Sequence, residues 1–264
     1  MSRYLIISIL LVFFCGIAFV NSALSFDKSN LVAYWSFNKG SGNTVADESG
    51  NGFDGKVMGG EWAKDGKESN AMDFDGADAY VEIASDPGLD PGEDGWTVEL
   101  WVKRFDSDVD WHEIVTKYPC CNYQGYRLGF HGNNVHVLFG IGAPPNCAEV
   151  VSTSKIEDQE WHHLAFTADR GGDVIIYIDG VPDETTGAIG QIEGESIITD
   201  QNLEIGRCHW CGGAMGFFGT ADEVKIWRAA LTEAEIQQAM SGKLMAVSPE
   251  DALSTCWGDI KSKI

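Results

Sequence analysis

The feature that most constrains this chain is a two-residue alternation of apolar and polar side chains that recurs along most of its length. The segment WTVELWVK (96–103) places its apolar residues on one side of an extended chain and Thr97, Glu99 and Lys103 on the other. This pattern predicts a half-buried strand. The segment WHHLAFTADRGGDVIIYIDG (161–180) contains two such runs around a Gly-rich turn and predicts a hairpin. Further short runs occur at 31–37, 71–74, 79–83, 126–130, 135–142 and 202–206.

Turn-forming Gly, Asn, Asp and Pro clusters separate these runs, and no repeat of fixed period links them. Many short strands joined by turns predict an all-β fold, an antiparallel β-sandwich or jelly roll. One helix is predicted near the C-terminus, where Thr232 and Glu235 have the spacing of a capping box. Ile236, Ala239 and Met240 share one face of this helix, and Gly242 can end it. We expect the helix to pack on the sandwich.

The N-terminal residues have the composition of a secretory signal peptide. Arg3 precedes an apolar run from Leu5 to Val20, which is followed by small and polar residues. We therefore predict a signal peptide over 1–22 and a secreted mature protein. An uncleaved membrane anchor is the alternative, although the run is short for a span.

The rest of the chain has the length of one large all-β domain. We assign the domain to 23–242, and we interpret 243–264 as a C-terminal extension pinned by Cys256 and Trp257. The chain has 18 Lys and Arg residues against 40 Asp and Glu, a formal net charge of −22. Such a surface repels nucleic acid and anionic lipid and attracts cations.

The chain has seven cysteines, and six remain when Cys15 is removed with the signal peptide. An even number in an exported chain predicts disulfides, with a pairing that the sequence leaves open. A zinc site using Cys208, Cys211 and His209 is the alternative. The predicted disulfide cysteines are Cys120, Cys121, Cys147, Cys208, Cys211 and Cys256.

Several segments together point to a known family. They are LVAYWSFNKGSGNTVADESGNGFDG, AMDFDGADAYVEI, WTVELWVK, EWHHLAFTAD with IYIDG, LEIGR and GTADEVKIWRAALTEAEI. In this order, they resemble the LamG-like jelly-roll domains of the concanavalin A-like lectin/glucanase superfamily. The resemblance implies two antiparallel sheets packed face to face, with a role in carbohydrate recognition, adhesion or attachment.

The resemblance also implies a structural calcium ion at the rim of the sandwich. The family's ligand positions match Asn38, Asp47 and Asp222 in this chain, although Lys39 replaces an acidic residue found in many relatives. The alternative is that Asp222 only caps the last strand by accepting N–H groups. Glu223 follows Asp222, and alternation places it on the opposite face, near Lys225.

Catalysis is not predicted. Hydrolases of this superfamily carry catalytic acids on one strand in a pattern such as Glu-x-Asp-x-x-Glu, and no strand here has that pattern. Nor does the chain contain a P-loop, a nucleophile elbow or a zincin helix.

Aromatic residues near the cysteines predict the ligand-binding site instead, because rigid rings can stack on the apolar faces of sugars. They are Trp111, Tyr118, Tyr123 and Trp210. We therefore expect a secreted, non-catalytic module that binds a glycan or polysaccharide. The alternatives are an adhesion or structural protein with a cell-surface protein partner, and a polysaccharide-degrading enzyme.

Overall fold

The computed structural model describes residues 27–105, 110–119, 123–189, 192–209 and 215–242. The predicted signal peptide (1–22) and C-terminal extension (243–264) lie outside these ranges. So do Cys120, Cys121, Trp210, Cys211 and Cys256.

Sixteen strands and one α-helix make up the described fold, together with short 3-10 turns at Lys28–Asn30 and Pro87–Leu89. The strands are β1 (Leu31–Trp35), β2 (Thr44–Val45), β3 (Gly55–Met58), β4 (Glu61–Ala63), β5 (Ala71–Asp75), β6 (Tyr80–Ile83), β7 (Trp96–Arg104), β8 (Trp111–Lys117), β9 (Gln124–His131), β10 (Asn134–Ile141), β11 (Cys147–Lys155), β12 (Trp161–Ala168), β13 (Asp173–Ile178), β14 (Val181–Ala188), β15 (Leu203–Ile205) and β16 (Phe218–Trp227). The helix is α1 (Glu233–Met240).

The strands form two antiparallel sheets of eight strands each. The first sheet has the order β14-β13-β12-β7-β16-β5-β4, with β1 also paired to β16. The second has the order β11-β10-β9-β8-β15-β6-β3-β2. The predicted hairpin is present, since β12 pairs with β13 from Leu164 opposite Ile178 to Ala168 opposite Val174. The all-β sandwich and its single helix are confirmed.

The main hydrophobic core lies between the two sheets. The inward residues of β7 are fully buried there, as the alternation predicts: Trp96, Val98, Leu100 and Val102. Tyr126, Leu128 and Phe130 of β9 contribute from the second sheet. Removing this apolar surface from water is the principal stabilising term of such a sandwich.

The prediction that β7 is only half-buried is wrong, because its other face is covered as well. The Thr97 hydroxyl donates to the carbonyl oxygen of Ala229, which precedes α1. Glu99 is fully buried. Its Oε1 accepts a hydrogen bond from Trp227 Nε1 at 3.0 Å, and its Oε2 lies 3.1 Å from His163 Nε2. Burial alone would raise the pKa of Glu99, but Lys225 and His163 outweigh it and lower the pKa. The charge is thus tolerated because it is paired.

Strand β16 changes partner along its length on one side. Its first half, Phe218 to Ala221, pairs with β5, and its second half, Val224 to Trp227, pairs with β1. Between them lies a β-bulge, where Glu223 has a φ of 54°. A bulge breaks the two-residue alternation. Glu223 lies near Lys225 as predicted, with its carboxylate 3.7 Å from Lys225 Nζ, but it is buried rather than exposed to solvent.

Helix α1 begins and ends as predicted. The side chain of Thr232 accepts the N–H of Glu235, and Glu235 accepts the N–H of Thr232, which completes the capping box. Gly242 follows with a φ of 68°. Ile236 and Ala239 are buried against Trp227 on the outer face of the first sheet. No helix in the described part of the chain combines the length and apolarity needed to cross a membrane.

Thr232→Ala should lower the free energy of unfolding by about 1 kcal/mol, because it leaves an N–H group of the first helical turn without its side-chain acceptor. Urea unfolding of the purified protein measures this loss. Thr232→Ser retains the hydroxyl and is the matched control, for which we expect a change of less than half that size. Equal destabilisation by both variants would show that the methyl group of Thr232, rather than the cap, is responsible.

Candidate functional site

Asp222, the first predicted calcium ligand, lies at the point where β16 changes partner. It is fully buried. Its Oδ2 accepts the backbone N–H of Glu68 at 3.0 Å, and its Oδ1 accepts that of Glu223 at 2.9 Å. Burial raises the pKa of Asp222 from 3.8 to about 7. The carboxylate therefore ties the loop before β5 to the bulge of β16, which is the capping role that the sequence left open.

Asp47 has a similar role in the loop after β2. Its Oδ1 accepts the N–H groups of Tyr34 and Ser49, and its Oδ2 accepts that of Phe53. Asn38 is exposed, and its backbone carbonyl accepts a hydrogen bond from the side chain of Asn70 at 2.8 Å. Each of the three predicted ligands is thus engaged in holding loops together.

A calcium ion needs six to eight oxygen ligands directed at one point. The carboxylates of Asp47 and Asp222 instead point at backbone N–H groups. Within the described ranges, no three His, Cys, Asp or Glu side chains gather closely enough to hold a metal ion. The three residues as placed do not fit a calcium site, and calcium binding stays a prediction of the sequence.

The outer face of the second sheet contains a network of charged side chains. Arg127 of β9 lies between two carboxylates: its Nη1 is 2.8 Å from Glu113 Oε1, and its Nη2 is 3.4 Å from Glu149 Oε1. His136 Nε2 lies 3.1 Å from the same oxygen of Glu149. The hydrogen bond from His136 is the main reason that the pKa of Glu149 is lowered.

Three buried atoms of this network lack a hydrogen-bond partner among the described residues: Glu113 Oε2, Arg127 Nε and His136 Nδ1. Buried polar atoms in native proteins are nearly always paired with protein or water. The network therefore has unused capacity to accept or donate a hydrogen bond.

The structure brings three of the four predicted binding aromatics to this same face. Arg127 Cζ lies 5.5 Å from the ring centre of Trp111 and 5.1 Å from that of Tyr118. Tyr118 is only 4% exposed and packs with Tyr123, Leu138 and Cys208. The fourth aromatic, Trp210, lies outside the described residues.

Trp111 is half-buried. Its ring stacks on His131, with centroids 4.1 Å apart and planes at 10°, and meets His136 edge-on at 4.9 Å. Of the three placed aromatics, Trp111 and Tyr123 keep part of their surface exposed, and Tyr118 acts mainly as packing for Arg127.

A cleft of about 320 Å³ adjoins this face on the β15 side. One of its carboxylates, Glu204, forms an ion pair with Arg207 at 2.8 Å, which neutralises its charge. The guanidinium group of Arg207 also lies over the ring of Tyr80. The walls supply hydroxyl, amide, carboxylate and imidazole groups and one aromatic ring. The lining residues are Glu82, Thr116, Tyr118, Asp200, Gln201, Asn202, Glu204 and His209.

The disulfide prediction is wrong for Cys147, which is a free, buried thiol. Cys147 begins the edge strand β11 opposite Gly140. A Cβ added at Gly140 would lie only 2.3 Å from that of Cys147, so the cysteine occupies the space that the glycine leaves. Packing therefore explains its presence. Cys208 is buried and is not a free thiol, and the pairing of the remaining cysteines stays a prediction.

Comparison with known families agrees with this architecture. The family model Laminin_G_3, described as concanavalin A-like lectin/glucanases superfamily, matches residues 75–237. The chain belongs to this superfamily. The match begins at the end of β5, so it includes Asp222 and the outer face of the second sheet but excludes Asn38 and Asp47. No curated protein matches the chain.

Several solved structures share this fold. The binding domain of Paraclostridial Mosquitocidal Protein 1 is 16% identical, with a TM-score of 0.64; the match covers 80% of this chain and 52% of that one. Domain 4 of AbnA, a GH43 extracellular arabinanase from Geobacillus stearothermophilus, was solved with arabinotriose; it is 23% identical, with a TM-score of 0.54, over 80% of this chain and 98% of that one.

A third similar structure is the binding domain of botulinum neurotoxin DC in complex with rat synaptotagmin II, 12% identical, with a TM-score of 0.61 over 81% of this chain and 52% of that one. The chain thus spans about half the length of the toxin binding domains it matches. At these identities the likeness shows the fold alone.

Sequence reasoning missed the charged network and most of the cleft. Arg127, His136 and Glu149 each occupy the polar positions of an alternating strand, between core residues. Alternation therefore predicts that they face outward. It does not predict that three neighbouring strands place them in contact, because this depends on strand order and register.

Asp222→Asn tests the electrostatics of the strand cap. The pKa of Asp222 is about 7 in the folded protein, whereas its ordinary value is 3.8. The folded state therefore binds a proton at Asp222 more tightly than the unfolded state does. The contribution of Asp222 to stability is therefore complete at low pH and is lost as the pH rises toward 7 and above. Asparagine mimics the protonated carboxyl, so from pH 5 to pH 8 the variant should gain about 2 kcal/mol relative to the unmodified protein.

Urea unfolding at the two pH values measures this shift, with exposed Glu184→Gln as the control that should show none. A constant difference between Asp222→Asn and the unmodified protein would mean that Asp222 stays ionised in the fold. Melting with calcium and with a chelator completes the test: a calcium-dependent rise in melting temperature that Asp222→Asn abolishes would establish Asp222 as a metal ligand after all.

Proposed function

We propose that this protein is a secreted, non-catalytic module that binds a glycan through the outer face of the second sheet. The observation that carries the proposal is the continuity between a partly exposed aromatic ring and a polar cleft. Tyr118 lines the cleft and lies against Arg127, which also contacts Trp111. A sugar presents both apolar ring faces and hydroxyl groups, and such a surface offers partners for both.

The cleft residues supply the hydrogen bonds of the proposed complex. Asn202 and Gln201 carry amide groups, and the carboxylate of Glu82 has no described partner. The Asn202 side chain already accepts the N–H of Ser85 at 2.9 Å, which fixes its orientation. Groups held in place before binding lose little conformational entropy when the ligand arrives.

The signal-like N-terminal segment supports export of the protein, and the known binding domains of the same fold support a binding role. A carbohydrate ligand is also compatible with the arabinotriose found with the AbnA domain. We propose no catalytic step, because Glu113 and Glu149, the carboxylates of the charged network beside Trp111, are both paired with Arg127.

Trp111→Ala should weaken glycan binding about tenfold or more, because it removes the larger of the two partly exposed rings of the face. The measurement is isothermal titration against a panel of neutral oligosaccharides, arabinotriose included, with melting to confirm folding. Trp161→Ala is the matched control: Trp161 is also half-buried but begins β12 on the first sheet, and its removal should leave binding unchanged.

Three results would contradict the proposal. Equal loss in both tryptophan variants would place the ligand elsewhere. A folded protein that binds no sugar but is retained by cell-surface proteins would favour the adhesion alternative. Release of reducing ends from a polysaccharide would make the protein an enzyme.

A further inference from the structure

A second cleft, of about 220 Å³, opens beside β4 and β5 of the first sheet. This cleft shares no lining residue with the cleft of the proposed glycan site. Its walls include three phenylalanines and three carboxylates: Phe74, Phe105, Phe218, Glu61, Asp73 and Asp75. Phe74 is buried, and the two phenylalanines that reach the surface are Phe105 and Phe218.

The two phenylalanines form an exposed aromatic corner. Their ring centroids are 5.4 Å apart, with planes at 77°. Phe218 is 36% exposed and is one of three large apolar side chains that are exposed in the described ranges. The N–H of Phe105 donates to the carbonyl oxygen of Phe218 at 3.0 Å, which holds the two rings together. Gly76 passes so close that a Cβ there would lie 3.2 Å from Phe218 Cβ.

The three carboxylates beside this corner have no ion-pair partner among the described residues. Asp73 lies opposite Glu61 across the β4–β5 pair and opposite Thr220 across the β5–β16 pair. Asp75 Oδ1 accepts three backbone N–H groups, from Ala77, Asp78 and Ala79. The turn after β5 therefore holds the carboxylate of Asp75 in one position at the cleft.

A metal ion is not the ligand that this arrangement fits. The carboxylates are too dispersed to chelate one, since no three acidic, His or Cys side chains gather in the described part of the chain. An organic cation fits better, because aromatic faces attract cations that are weakly hydrated. Guanidinium is planar, stacks on rings and donates several hydrogen bonds to carboxylates, whereas ammonium is compact and strongly hydrated.

We propose that this cleft binds an arginine side chain presented by a basic segment of a partner protein. The guanidinium group lies against the corner of Phe105 and Phe218 and donates to Glu61 and Asp73. The protein's net charge of −22 favours the approach of such a segment. The glycan site and this cleft are independent, so either can fail without the other.

The test is NMR titration of the full mature protein with the peptide acetyl-Gly-Arg-Gly-amide. Its matched control is the same peptide with citrulline, which has the shape of arginine without the charge. We expect chemical-shift changes at Phe105 and Phe218 with the arginine peptide only. Glu61→Gln should raise the Kd about threefold or more, and Phe218→Leu should do the same by removing the ring.

Glu61 is exposed on an edge strand, so Glu61→Gln keeps the test valid if Phe218→Leu disturbs the fold. Glu184→Gln, an exposed acid on β14, should leave the Kd unchanged and controls for net charge. Equal binding of the citrulline peptide, or shifts that map outside the cleft, would overturn the proposal. Binding of tetramethylammonium without binding of the arginine peptide would also overturn it and assign the cleft to a small cation.

Discussion

The change of partner along β16 is the constraint on which the rest of the first sheet depends. A strand that pairs with β5 in its first half and β1 in its second must leave backbone groups without a ladder partner between them. Asp222 supplies the missing acceptors: its two oxygens take the N–H groups of Glu68 and Glu223. The bulge residue Glu223 is then held by the hydroxyl of Tyr34, which belongs to the second partner strand. The acidic pair is thus the junction between two parts of one sheet.

This junction helps to explain why the two sheets differ on their outer faces. The first sheet has β16 near its centre, and the chain leaves β16 to form α1, which packs against Trp227. Trp227 in turn donates a hydrogen bond to the buried Glu99. On that face Glu99 is held by Trp227, His163 and Lys225. In the described part of the chain no helix packs on the second sheet, whose outer face carries Trp111 and Arg127 beside an open cleft. On that face Trp111 stays partly exposed beside the cleft, whereas Arg127 and Tyr118 are buried.

Local signals in the sequence were sufficient for much of the fold. The capping box of α1, the hairpin of β12 and β13 and the inward side of β7 each depend on residues close together in the chain, and all three are confirmed. The failures depend on distant residues. Burial of Glu99 involves Trp227 and His163, burial of Glu223 involves Tyr34 of β1, and the free thiol of Cys147 packs against Gly140 across the strand pair. Three of the predicted aromatics lie on one face. Arg127 contacts two of them, Trp111 and Tyr118, and this contact depends on the register of neighbouring strands, which the sequence alone does not reveal.

Compensation of charge distinguishes the two candidate sites more clearly than their shape does. On the outer face of the second sheet, Glu113 and Glu149 are paired with Arg127, and Glu204 is paired with Arg207. These carboxylates repel an approaching anionic group, and attract a cation, far less than free ones would, because each has a cation within hydrogen-bonding distance. At the Phe105 and Phe218 cleft the carboxylates have no such partner, and a cation gains their full attraction. The kind of ligand that each surface attracts therefore depends on which of its acidic side chains are already paired with a cation. For this reason a strongly acidic protein can carry one surface suited to hydroxyl-rich ligands and another suited to a cation.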